Sequence, residues 1–158
     1  MKPLPFPFPL NIGTDIVHIP RIAQLLTRPD YLTRFTRRIL CDQEQTYFRK
    51  RFSEALKERA AYHQQPPPVP AEITRWLAGR FAAKEAARKA APSGAASIGW
   101  KDVMVTIQED GGMFGEGVSR RPEIVYIGNA EGAEEGRAAK LSISHDGEYV
   151  VATVLAAG

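Results

Sequence analysis

The sequence has one cysteine, Cys41, so no disulfide can form within the chain. That excludes the class of small domains stapled by disulfides and suits a reducing compartment. A lone cysteine just before a predicted helix start reads as a small buried apolar residue, not a nucleophile. No apolar run approaches the ~20 residues needed to cross a bilayer, so no membrane partner is expected. The first ten residues, MKPLPFPFPL, lack the basic n-region and continuous apolar h-region of a secretory signal. They also lack the Arg- and Ser-rich amphipathic pattern of a transit peptide. No internal repeat is visible. The glycine-rich stretch Glu109–Ser119, EDGGMFGEGVS, has no GxxxxGK(S/T) order and does not read as a phosphate loop.

What is present is ordinary globular material. The chain has 158 residues, 44% apolar and 25% charged, enough for one domain with a real core. The net charge of +3 is unevenly spread. Arg28 to Arg59 holds nine basic residues against five acids, and Glu109 to Glu135 holds seven acids against Arg120 and Arg121. The first half therefore presents a basic surface suited to a polyanion or an acidic protein, or simply a solvated helical face.

Residues 1–10 alternate proline with apolar residues and are expected to be extended. Residues 11–158 read as a single domain, with a proline-rich insertion at about residues 62–72. Asn11–Val17 reads as a strand, with Ile12, Thr14 and Ile16 on one side and Gly13, Asp15 and Val17 on the other. Pro20 opens a helix over Arg21–Arg28. Further helices are predicted over Asp30–Leu40 and Asp42–Ala61, the latter capped by Asp42 with Gln45 three residues on. Arg75–Ala91, RWLAGRFAAKEAARKAA, is rich in the best helix formers and is stopped by Pro92-Ser93-Gly94. Strands follow over Lys101–Gln108, Glu123–Ile127, Leu141–His145 and Glu148–Leu155, the last two joined at Asp146-Gly147. Helices gather early and antiparallel strands late, which predicts an α+β fold with helices packed on one face of an antiparallel sheet.

Three places could carry chemistry. The first is Gly13-Thr14-Asp15 with Arg21. Aspartate is depleted in strands and costly to bury unpartnered, so Asp15 is either a local cap or a metal ligand. The second is Arg80-Phe81-Ala82-Ala83-Lys84-Glu85 with Lys89, on the central helix. Glu85 and Lys89 share a face at i and i+4, which suits either a surface salt bridge or a carboxylate holding a metal beside a polyphosphate. The third is Ser142-Ile143-Ser144-His145. Two carboxylates with few other ligands suit Mg²⁺, which keeps waters and takes phosphate oxygens; no second histidine or cysteine is near enough to suggest zinc.

These stations, in this order, resemble the 4′-phosphopantetheinyl transferase superfamily, and most of all its short branch, the holo-acyl-carrier-protein synthases. The likeness rests on Gly13-x-Asp15 with Arg21, on Arg80-Phe81-Ala82-Ala83-Lys84-Glu85-Ala86 with Lys89-Ala90, and on Leu141-Ser142-Ile143-Ser144-His145. Supporting marks are Arg34-Phe35 with Arg38-Ile39-Leu40 and Glu44, and Gly99-Trp100-Lys101-Asp102-Val103.

The resemblance implies transfer of phosphopantetheine from coenzyme A to a serine of an acyl carrier protein. It casts Asp15 and Glu85 as Mg²⁺ ligands and, with Lys89, as the catalytic group. Lys89 would face the pyrophosphate and the leaving group. Arg80, Lys84, His145 and Ser144 would join it in binding coenzyme A, with His145 near the nucleotide. The carrier serine would lose its proton to a metal-bound water or to a carboxylate such as Glu85. Arg21 and Arg28 would meet the acidic carrier protein. A short-branch chain is expected to be a homotrimer with sites between subunits, His145 serving an Asp15 and Glu85 of the next. The Pro-rich start and insertion look like a fungal mitochondrial version, implying the matrix or, failing that, the cytoplasm. Arg120-Arg121-Pro122 replaces the branch's usual Gly-Lys-Pro. Competing readings are a basic nucleic-acid-binding module, which lacks any aromatic-interleaved or helix-turn-helix signature, and a coenzyme A-binding subunit without catalysis.

Overall fold

The computed structural model describes residues 2–62, 66–107, 121–127 and 136–158. The glycine-rich loop over Glu109–Ser119 lies outside the described residues, as do Gln64, Arg120 and the acids of the later run other than Glu123. The elements run β1 (Leu10–His18), α1 (Ile19–Leu26), α2 (Tyr31–Ile39), α3 (Asp42–Arg51), α4 (Ser53–Ala60), α5 (Ala71–Ala90), β2 (Val103–Ile107), β3 (Pro122–Tyr126), β4 (Arg137–Asp146) and β5 (Tyr149–Ala157). Two 3-10 turns, Ala95–Ser97 and Trp100–Asp102, link α5 to β2. The strands form one antiparallel sheet in the order β1-β5-β4-β3-β2, with α5 across one face. This is the expected α+β architecture.

Alternation along β1 sets the two faces of the sheet. Gly13 and Val17 are buried under α5, while Ile12 is 69% and Ile16 59% exposed on the opposite face. The more apolar side of the strand is thus the uncovered one. Beneath α5 the contact is made by small residues: Ala82, Ala83, Ala86, Ala87 and Ala90 are all fully buried. A Cβ added at Gly13 would stand 2.1 Å from the Ala86 carbonyl oxygen, so only glycine lets the helix lie this close.

Local boundaries differ from the sequence expectation for physical reasons. Helix α5 begins a turn earlier than Arg75, at Ala71, because Pro70 just outside the helix and Glu72 in its positive first turn both favour a start there. It stops before Pro92, which confines Ala91 to extended backbone (φ −65°, ψ 133°). The expected helix over Asp42–Ala61 is two helices. The break at Phe52 lets its ring pack on Phe48 and Trp76, at centroid distances of 5.3 and 5.9 Å. Its N-cap is Cys41, not Asp42: the Glu44 carboxylate accepts from the Cys41 backbone N–H at 3.1 Å. The hairpin turn is Gly147-Glu148, one residue past Asp146-Gly147, because Asp146 pairs with Tyr149. Gly147 supplies the positive φ of 53° that this turn requires at its first position.

The far edge of the sheet is closed by a buried ion pair. Among the described residues β2 pairs only with β3, so its outward N–H and C=O groups need other partners. The Glu44 carboxylate, 4% exposed, accepts from Val105 N–H at 3.0 Å and from Lys84 Nζ at 2.6 Å. Lys84 Nζ also donates to the carbonyls of Trp100, at 2.9 Å, and Val103. One carboxylate and one ammonium thereby tie α3, α5, the Trp100 turn and β2 together. Burial pulls the Lys84 ammonium below the usual lysine range, an effect the Glu44 charge opposes.

Removing one partner strands the other charge and two backbone donors. Glu44→Ala is expected to cost about 3–5 kcal/mol in urea unfolding. The apolar pair Glu44→Leu with Lys84→Met should cost less than the sum of the two single changes, because neither charge is left buried alone, while the backbone groups that the pair served stay unpaired. A Glu44→Ala chain as stable as the parent would refute this role.

Candidate active site

The close seating of α5 on β1 brings the first two stations together. Lys89 Nζ donates to the Thr14 carbonyl and to Asp15 Oδ1, both at 2.9 Å. The Thr14 carbonyl points off the free edge of β1, so Lys89 satisfies an edge acceptor as well as the carboxylate. Glu85 is one turn before Lys89 on the same helix face, with Cβ atoms about 5–6 Å apart. Lys89 therefore joins Asp15 of β1 to the face of α5 that carries Glu85. Asp15 and Glu85 are largely buried, and Lys89 is half-exposed.

Each carboxylate has one engaged and one open oxygen. Asp15 accepts through Oδ1, and Glu85 accepts through Oε1 from Arg88 Nη1 at 2.9 Å and from Trp100 Nε1. Among the described residues Oδ2 of Asp15 and Oε2 of Glu85 have no hydrogen-bond partner, and neither is a buried orphan. No three His, Cys, Asp or Glu side chains gather among the described residues. Asp15 and Glu85 each leave one hard carboxylate oxygen open, the donor type that fits a water-rich Mg²⁺. Lys89 has three N–H bonds and uses two here, leaving one for an incoming anion.

Lys84 does not belong to this group, contrary to expectation. It is fully buried, and all three of its donors are spent on Glu44 and the two carbonyls, so it offers nothing to a phosphate.

Arg80 turns to another side of the helix. Its guanidinium lies 4.6 Å from the Trp76 ring centroid, its Nε is buried without a hydrogen bond, and Glu44 stands 3.8 Å away. Desolvation lowers its pKa from the usual arginine value. Arg80 lines a cleft of about 540 Å³ together with Arg75, Trp76, Gly79, Ile143 and His145. His145 is thus grouped with Arg80, not with Asp15. In the sheet, Asp15 aligns with Ala152 and Ile143, and His145 with Val150. Two strands and two residues separate Asp15 from His145, roughly 12 Å of backbone.

Ser144 alternates with His145 and so faces the open side of the sheet, away from that cleft. Ser144 and His145 cannot both contact one ligand in the cleft. Arg21 is exposed on α1, but that helix ends at Leu26, which puts the exposed Arg28 in the following turn and not on the helix. Cys41 is buried and desolvation raises its thiol pKa, so it stays neutral and unreactive.

Sequence reasoning did not select Arg75, Arg88 or Trp100 as site residues. Trp100 carried a usable signal: an indole N–H on a largely apolar ring needs a fixed acceptor. Arg75 and Arg88 carried none, being two arginines among many.

Comparison with known proteins bears on the same residues. The family model described as the 4′-phosphopantetheinyl transferase superfamily matches residues 11–154. The chain is 59% identical, over all of both chains, to "4′-phosphopantetheinyl transferase B, mitochondrial" of Aspergillus fumigatus. It is 37% identical to a holo-[acyl-carrier-protein] synthase of Gloeobacter violaceus, covering 94% of this chain and 92% of that one. Among solved structures, a holo-(acyl-carrier-protein) synthase from Bacillus anthracis in complex with CoA aligns at TM-score 0.55 and 27% identity, covering 92% of this chain and 93% of the other. The Plasmodium yoelii synthase aligns at TM-score 0.63 and 21% identity, a likeness of fold. With Lys89 tied to Asp15 where α5 meets β1 and the family model spanning nearly every element, the chain belongs to the 4′-phosphopantetheinyl transferase superfamily.

Proposed function

We infer that the chain transfers the 4′-phosphopantetheine moiety of coenzyme A to a serine hydroxyl of an apo-acyl carrier protein, releasing adenosine 3′,5′-bisphosphate. The observation that carries this reading is the Lys89 ammonium, tied to Asp15 one helical turn from Glu85 with an N–H to spare. Mg²⁺ held by Asp15 and Glu85 would neutralise pyrophosphate charge and polarise the attacked phosphorus. Displacement at phosphorus needs mainly positioning and charge stabilisation. Lys89 meets the charge that develops on the departing phosphate oxygen and can give it a proton. Arg80 and His145, in their own cleft, take the nucleotide end of the donor.

The separation of His145 from Asp15 supports a site completed by a second subunit. One subunit would supply Asp15, Glu85 and Lys89, and its neighbour Arg80 and His145. The uncovered sheet face supports the same arrangement. Ile12, Ile16, Tyr149 and Leu155 are each more than 40% exposed there, an apolar surface that a second copy would cover. The likeness to the short branch supports three copies. The relative named as mitochondrial supports the matrix as the place of action. Arg21 and Arg28 stand exposed and offer an oppositely charged landing surface for an acidic carrier.

Incubating the chain with Mg²⁺, coenzyme A and apo-carrier protein should add one phosphopantetheine mass to the carrier. Chelating the metal, or Glu85→Gln, should abolish that gain; coenzyme A binding without a mass gain would sink the transferase reading. Arg21→Glu is expected to raise KM for the carrier about tenfold while leaving KM for coenzyme A nearly unchanged, by loss of steering. An equal effect on both substrates would argue against a docking role. Light scattering should give three times the chain mass, and Ile16→Glu should reduce it to that of one chain and remove activity. An active monomer would contradict the shared site.

A further inference from the structure

Glu85 does not stand alone on its flank of α5. Its Oε1 accepts two hydrogen bonds, from Arg88 Nη1 at 2.9 Å and from Trp100 Nε1. Both donors aim at the same oxygen, which turns Oε2 outward. The indole that supplies one of them is fixed on every side. Lys84 Nζ holds the Trp100 carbonyl at 2.9 Å. The guanidinium carbons of Arg38 and Arg88 lie 5.0 and 5.3 Å from the ring centroid, and Phe81 packs at 6.0 Å. Arg88 is itself pinned, donating from Nε to the Ile98 carbonyl at 2.6 Å and from Nη2 to the Ala95 carbonyl at 2.9 Å.

We propose that Trp100 is a positioning residue for the metal-binding carboxylate: its indole N–H, supported by Arg88, fixes Glu85 so that Oε2 is presented to the divalent cation. The inference rests on the reading of Glu85 as a metal ligand. Trp100 suits the task because it is an uncharged donor. The Arg88 guanidinium already places one positive charge beside Glu85, and the indole dipole adds a second fixed donor without adding a further charge to oppose the incoming metal. The buried Glu44–Lys84 pair then has a second consequence. By holding the Trp100 carbonyl, Lys84 transmits the rigidity of the β2 edge to the ligand itself. Outer partners of this kind typically change metal affinity 10–100-fold when removed.

The test is Mn²⁺ binding to the full chain, followed by electron paramagnetic resonance in the presence of coenzyme A. Trp100→Phe keeps an aromatic ring beside the two guanidinium groups and removes the donor together with part of the ring. It should weaken Mn²⁺ binding about tenfold or more. In turnover, KM for Mg²⁺ should rise by more than kcat falls. A purely structural role would lower Tm and leave the Mn²⁺ affinity unchanged, and that result overturns the proposal. Replacing Trp100 by benzothienyl-alanine, which puts sulfur in place of the N–H in a ring of the same shape, decides the matter if Trp100→Phe folds poorly. Glu85→Gln separates the two levels of inference. If Glu85→Gln binds Mn²⁺ normally, the ligand assignment itself is wrong. If it loses Mn²⁺ while both Trp100 replacements keep it, only the positioning role fails.

Discussion

Helix α5 can lie on β1 only because neither partner presents bulk where they cross. Gly13 has no Cβ, and the helix meets it with Ala86, Ala90 and the stem of Lys89. Everything at the candidate site follows from that approach. It brings the Lys89 ammonium within reach of an edge-strand carbonyl and of Asp15. It joins a carboxylate at residue 15 to an ammonium at residue 89, one helical turn from Glu85. A side chain at position 13 would push the helix out by about an ångström, enough to break the hydrogen bonds of Lys89 to Thr14 and Asp15. The energy for the seating comes from burial: residues such as Leu77 and Val17, fully buried in the same core, each contribute about 1.5–3 kcal/mol. The precision comes from the glycine.

The fold was legible because its signals are local. Period-two alternation in β1, the alanine-rich helix and the late strands each declare themselves over fewer than twenty residues. Pro92 declared the end of α5 for the same reason. The boundaries that shifted depend on distant groups. The break at Phe52 answers to Trp76, on another helix. The N-cap moved to Cys41 because Glu44 turns back to it while also serving Val105 on β2. The hairpin moved by one residue because register is set by the whole of β4 against β5, not by the turn dipeptide.

The site was partly legible. Spacing in α5 placed Glu85 and Lys89 on one face, and the strand pattern made Asp15 conspicuous. What spacing could not show is which cations the fold would consume internally. The need for an edge cap on β2 is invisible until β2 is known to be an edge strand, and the residue that answers it is Lys84. Trp100, too, is an ordinary aromatic residue until its N–H is seen against Glu85. The split between the Asp15 group and the Arg80–His145 cleft likewise depends on strand order, since it comes from placing β5 between β1 and β4.

Lys84 and Lys89 show how a helix sorts identical residues. Five positions turn an α-helix through about 140°. One lysine is thereby carried towards β2 and the other towards β1, the two edge strands of the sheet. Both bind an outward-pointing backbone carbonyl and a carboxylate there: Val103 and Glu44 for Lys84, Thr14 and Asp15 for Lys89. The difference is solvent. Lys84 has no exposed surface and no donor left, so its chemistry is finished once the chain has folded. Lys89 is 47% exposed and keeps one donor. The same device that closes one edge of the sheet is left open at the other, where the Lys89 ammonium stays half-solvated beside Asp15 and keeps a donor that an anion can take.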